Sequence, residues 1–149
     1  MKKTIILIAA AMLFFTLTVS SNAELTNEGN GLLYDTDLNR TWLQDANYAG
    51  LTMTWDEANN WVTNLVFSGF DDWRLPASDT CSGNTCTGSE MGHLFYSEGI
   101  TSNTQGSFTN VKPSMYWAST ENESNPSQAY RFSFLYGTQG VSDKTTKRY

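Results

Sequence analysis

Histidine occurs once in 149 residues, cysteine twice, and lysine and arginine together only nine times. Each scarcity closes a class of function. The single histidine and the two thiols make an incomplete zinc set, at the wrong spacing for a zinc-binding module. Cys81 and Cys86 are separated by four residues rather than two, which argues against a redox pair. Neither Ser97 nor Ser119 stands in a nucleophile-elbow context. No local pattern gives His93 a nucleophile or an orienting partner, so a packed or surface histidine is expected. No catalytic residue is expected, and an enzyme is the least favoured class. Basic residues form no cluster before Lys144, Lys147 and Arg148 at the end, so nucleic acid is a poor partner. Long apolar runs are missing after residue 23, so no membrane span is expected beyond it. Repeats and low-complexity linkers are also missing.

What is present begins with an export signal. Lys2 and Lys3 precede the uncharged apolar run Thr4 to Val19, and Ser21-Asn22-Ala23 is a small-x-small cleavage box. That layout predicts a signal peptide over 1–23, removed after Ala23, and a periplasmic or extracellular location. The remaining 24–149 suits one domain. Without Lys2 and Lys3 it carries seven basic and fifteen acidic residues, a net charge of −8.

In this compartment a structural disulfide between Cys81 and Cys86 is expected. Its loop of six residues is worth about 2 kcal/mol in the chain-entropy picture.

Periodicity places the elements. "GLLYDTDLNRTWLQD" (31–45) reads as two short strands around a turn. Thr54 and Glu57 form a capping box, and Trp55, Ala58, Trp61, Val62 and Leu65 recur at helical spacing, predicting a helix over 54–67. Thr87 and Glu90 repeat the capping pattern ahead of Met91, Leu94 and Phe95, predicting a second helix over 87–97. "SMYWAST" and "QAYRFSFLYG" read as strands, the second alternating Tyr130, Phe132, Phe134 and Tyr136 with smaller or polar residues. "VSDKTTKRY" is a candidate for one more. Hairpin, two helices and a run of strands predict an α+β domain, its two helices packed on a small, mostly antiparallel sheet with long polar loops.

Several polar groups invite a functional reading. Asp71 and Asp72 precede "WRLP", but neighbours in an extended strand point to opposite faces, so turn capping is expected. Trp42, Trp55, Trp61, Trp73, Arg74, Leu75, Pro76 and Trp117 read as structural framework. A buried Arg74 needs a carboxylate, with Asp45, Asp56 and Glu121 as candidates. The loop "STENESNPSQ" (119–128) concentrates side-chain oxygens. Glu121, Asn122 and Glu123 are candidate calcium ligands there, against the simpler reading of a solvated loop. Aromatic rings, amides and carboxylates can also read a sugar, with Tyr116, Glu121, Asn122, Asn125 and Tyr130 as candidate contacts.

The blocks "GLLYDTDLNRTWLQDANYAGLTMTWDEANNWVTNL", "GFDDWRLP", "CTGSEMGHLFY", "FTNV", "YWASTE" and "AYRFSFLYGTQG" stand in this order. The chain resembles, from about Gly31 to Lys144, the Lcl C-terminal domain family, a bacterial exported domain named after a collagen-like adhesin. The Arg-Leu-Pro block followed by Trp-Ala-Ser-Thr also looks like domains of the C-type lectin superfold. The resemblance implies a C-type-lectin-like α+β domain that binds carbohydrate or another surface ligand in adhesion, or a structural, self-associating envelope protein. The founding adhesin is associated with sulfated glycans, but a domain of net charge −8 favours a neutral glycan or a calcium-bridged one. No resident cofactor beyond calcium is implied. Family members continue past the last tyrosine with a further strand of the type Ala-Trp-x-Val-Arg. This chain stops at Tyr149, so the resemblance implies a domain without it.

Overall fold

A computed structural model describes residues 25–149. The expected signal peptide lies outside the described residues. The chain runs through β1 (Leu25–Gly29), β2 (Leu32–Asp35), β3 (Arg40–Leu43), α1 (Trp55–Thr63), α2 (Glu90–Tyr96), β4 (Met115–Glu121), β5 (Gln128–Ser133) and β6 (Thr138–Asp143). The strands form two three-stranded antiparallel sheets, ordered β1-β2-β3 and β4-β5-β6. The α+β class is as expected. The single sheet is not: β1 adds a strand to the predicted hairpin, and that sheet stands apart from the C-terminal one.

Local chemistry explains the element ends. At α1 the capping box closes in both directions. The Glu57 N–H donates to Thr54 Oγ1 at 3.3 Å and the Thr54 N–H donates to Glu57 Oε2 at 2.8 Å. The helix stops at Thr63 rather than 67. Asn64 turns its amide back onto the Asn60 carbonyl at 2.7 Å, and Ser68 and Gly69 take left-handed conformations (φ 50° and 85°). Phe67 and Phe70 then exchange backbone hydrogen bonds at 3.0 Å each way, the geometry of a two-residue hairpin turn. Leu65 therefore leaves the helical stripe, while Ala58 and Val62 keep it buried.

The second helix begins later than predicted. Ser89, not Thr87, is its cap: the Gly92 N–H donates to Ser89 Oγ at 3.0 Å. Gly92 is required there, since a side chain would overlap the Cys86 carbonyl. β5 ends at Ser133, so Phe134 is buried beyond the strand and Tyr136 is exposed in the following turn.

Two apolar clusters form the core. One gathers Leu33, Met91, Leu94, Phe108, Phe132 and their neighbours between the N-terminal sheet, α2 and the C-terminal sheet. The other joins Met53, Ala58, Trp117 and Ala129 beneath α1. Two tryptophans tie α1 and its entry to β4: Trp117 Nε1 donates to the Met53 carbonyl at 3.0 Å and Trp55 Nε1 to the Ala118 carbonyl at 2.8 Å. "DWRLP" carries no strand assignment, but its exit lies along β4, where Ser119 N–H donates to the Pro76 carbonyl at 2.8 Å. The predicted last strand divides. β6 takes its first residues, and Arg148 pairs with Met53 while Tyr149 pairs with β4.

Candidate functional site: an aromatic cleft

A cleft of about 470 Å³ opens between β3, the 45–53 loop, α1 and the 70–76 segment. Its outer wall is a chain of rings. Tyr48 meets Phe67 edge-on at 4.9 Å and Trp61 at 6.5 Å, and Trp73 stands 6.3 Å from Phe67 and 6.4 Å from Phe70. Tyr48 and Phe70 leave about half of their surface in solvent. The Ser68-Gly69 turn brings Phe70 back over Trp73, whose indole N–H donates to the Phe70 carbonyl at 3.2 Å.

The 45–53 loop is held by its own polar groups. Asp45 Oδ1 accepts the Asn47 N–H at 2.9 Å, and Asp45 bridges to Thr109. Two buried polar atoms of cleft-lining residues have no hydrogen-bond partner: Trp42 Nε1, a donor, and Asn47 Oδ1, an acceptor. Unpaired buried polar atoms are costly, and a ligand bearing hydroxyl groups can satisfy both kinds.

Charge at the rim is largely internally matched. Arg74 and Arg40 both line the cleft, and both bond Glu90. The expected partners of Arg74, namely Asp45, Asp56 and Glu121, are not the ones used. The reason is topological: α2 begins beside the "WRLP" segment, where Ala77 N–H donates to Glu90 Oε2 and Glu90 N–H to the Ala77 carbonyl. Burial works to raise the Glu90 pKa, but the Arg74, Ala77 and Arg40 hydrogen bonds outweigh it, leaving it below the ordinary glutamate value. The same pairing raises Arg74. Asp71 and Asp72 are exposed, and Asp72 lines the cleft.

The residues expected to contact a ligand do not gather here. Tyr130 is buried in the core, its hydroxyl donating to the Thr80 carbonyl at 3.4 Å. Tyr116 packs between Phe134 and Tyr149, and only it among the five reaches the cleft lining. Its hydroxyl accepts the Lys112 N–H at 2.7 Å, and burial pushes its pKa up to about 12. Glu121 is paired with Lys144 at 2.7 Å. Asn122 Oδ1 accepts the Ser124 N–H and Asn125 Oδ1 accepts from Ser127, so both amides shape the β4–β5 turn. Glu123 is exposed on that turn.

The Cys81–Cys86 disulfide is formed, with Cα atoms 5.6 Å apart. Its loop is also anchored by buried Gln139 of β6. The Gln139 amide donates to Asp79 Oδ1 at 2.7 Å and to the Cys81 carbonyl at 2.8 Å. His93 is not an isolated histidine, because folding brings Asp35 and Glu98 beside it. Burial, then the charge of Asp35, raises the Glu98 pKa, with His93 opposing. Sequence spacing could not reveal this: Asp35 is 58 positions from His93.

No helix among the described residues is long and apolar enough to cross a membrane. No curated protein and no solved structure matches the chain significantly. The Lcl C-terminal domain profile matches residues 31–149, which includes every element from β2 to β6. The chain belongs to the Lcl C-terminal domain family.

Proposed function

We propose that this is an exported, non-enzymatic binding module that recognises a neutral glycan in the aromatic cleft. The observation carrying the reading is that one cleft is lined both by exposed rings and by residues with an unpartnered buried donor and acceptor. Rings cover the apolar faces of a pyranose, and sugar hydroxyls both donate and accept. Membership in a family named after an adhesin supports the class. The net charge and the sharing of Glu90 by both rim arginines favour a neutral sugar over a sulfated one. The contact residues proposed are now Trp42, Asn47, Tyr48, Trp61 and Trp73.

Export is supported by the apolar N-terminal run and its cleavage box and by the disulfide. A C-type-lectin-like arrangement is supported by the order of hairpin, two helices and antiparallel strands. Calcium binding by the 119–128 loop, whose residues do not line the cleft, is a separate expectation that the same titration tests.

The test is titration of the purified protein against neutral and sulfated glycans, first with calcium and then with chelator, while release of sugar fragments is monitored. Saturable binding of a neutral glycan without fragmentation is expected. Absence of binding in both conditions, with self-assembly in solution, would replace this reading with a structural envelope role. Cleavage of the glycan would make the protein an enzyme.

A further inference from the structure

Three buried polar atoms without a hydrogen-bond partner meet at one point away from the cleft's ring wall. They are Asp35 Oδ2, His93 Nε2 and Glu98 Oε1. The His93 nitrogen is 3.4 Å from Glu98 Oε1 and 3.9 Å from Asp35 Oδ2, and all three atoms lie within 4.8 Å of one another. Asp35 is fully buried, and the Glu98 and His93 side chains are 6% and 14% exposed.

Each group is positioned by bonds that leave the converging atom unused. Asp35 ends β2, and its other oxygen, Oδ1, accepts the N–H groups of Asp37 and Leu38 at 3.1 and 2.9 Å. His93 is held within α2, its carbonyl accepting the N–H groups of Ser97 and Glu98. The backbone then reverses through Gly99 (φ 70°), which sets Glu98 at the helix end. Three converging polar atoms withdrawn from water without a hydrogen-bond partner, two of them carboxylate oxygens, are expensive unless a cation joins them.

We propose that Asp35, His93 and Glu98 bind one divalent transition-metal ion of the zinc class, leaving a fourth position for water. Zinc bonds of 2.0–2.2 Å at tetrahedral angles set ligand atoms about 3.3–3.6 Å apart, so the 3.4 Å His93–Glu98 spacing fits as it stands, while the 3.9 Å His93–Asp35 spacing and the Asp35–Glu98 separation, within 4.8 Å, must contract as the ion enters. The imidazole selects against calcium and magnesium, which prefer all-oxygen shells. The ion joins the end of β2 to the end of α2, two segments otherwise linked through apolar packing. Its role is therefore that of a staple for the N-terminal sheet. The site is independent of the glycan reading, and either can fail alone.

The chain's single histidine makes the test direct. The protein is purified without a polyhistidine tag, stripped with chelator and titrated with zinc chloride by calorimetry, with the imidazole resonances followed by NMR. Expected are one ion per chain, a shift of the His93 ring nitrogens and a raised melting temperature, with calcium and magnesium inert. Glu98→Gln and His93→Gln should each weaken binding about tenfold or more. If His93→Gln fails to fold, the wild-type histidine spectrum and Glu98→Gln still decide. No saturable uptake, uptake that leaves the His93 resonances unmoved, or unchanged affinity in Glu98→Gln would overturn the site. Any of these would leave the cluster a polar contact of the folded chain that holds no ion.

Discussion

Arg74 and Glu90 form a forked pair, with Nη2 to Oε1 at 2.6 Å and Nη1 to Oε2 at 2.8 Å. The pair connects the extended "WRLP" segment at the cleft rim to the first residue of α2. Because Glu90 is the more enclosed partner and also accepts the Ala77 N–H, its loss should cost more than the loss of either arginine. Glu90→Ala is expected to destabilise the fold by about 1–3 kcal/mol, as for hydrogen bonds to a charged group. Arg40→Ala, on a half-exposed arginine, should cost under about 1 kcal/mol. Urea denaturation of the two variants checks the order.

The same carboxylate gives an acid limb to stability. Its folded pKa lies below the unfolded value, so its contribution is complete above the ordinary glutamate range and is lost as pH falls through the folded pKa. Wild type should therefore lose more stability than Glu90→Gln between pH 6 and 3. Parallel curves for the two proteins would contradict this assignment.

Tyr116 gives the alkaline limb. Burial raises its pKa to about 12, so its contribution is complete below the unfolded tyrosine pKa of about 10 and fades as pH climbs to about 12. Absorbance titration at 295 nm should show a step near pH 12, and Tyr116→Phe should remove it.

Reduction of Cys81–Cys86 should lower stability by about 2 kcal/mol without unfolding the domain. Gln139 and the backbone bridge between Gly83 and Gln139 hold the loop independently. Gln139→Leu in the oxidised protein should loosen residues 79–83 in hydrogen exchange, because it removes the donor to Asp79 and Cys81. Alkylation of unreduced protein should add no mass.

The tryptophans should separate by role. Trp117→Phe removes one of the two donors to the Met53 carbonyl, leaving the Arg148 N–H as the other, and shrinks a fully buried ring, so it is expected to cost about 1–3 kcal/mol. Trp73→Ala, on the cleft wall, should leave the far-ultraviolet spectrum intact and weaken glycan binding at least about tenfold, in line with a stacking contact worth 1.4 kcal/mol or more. Equal loss of binding in both variants, tracking stability alone, would remove the cleft from consideration.

The sequence by itself determined the local structure. The Thr54–Glu57 box, the alternation through Tyr130 and Phe132, and the Cys81–Cys86 pairing act over short separations, so α1, β5 and the disulfide were legible from spacing. The family was legible too, since its blocks are linear runs of residues. Helix ends were less so: Thr87 and Ser89 both suit a cap, and only packing of Gly92 against Cys86 selects Ser89. Tertiary structure decided the sites. Tyr116 and Tyr130 carry hydroxyls that suit a ligand in sequence, yet both rings are drawn into the core. Glu90, Asp35 and Glu98 look like ordinary surface acids until β2, β3, the "WRLP" segment and α2 are brought together. Arg74 is 16 residues from Glu90 and Asp35 is 58 from His93, and no helical or strand period connects such distances. Only the burial of apolar faces, which is indifferent to sequence separation, places them side by side.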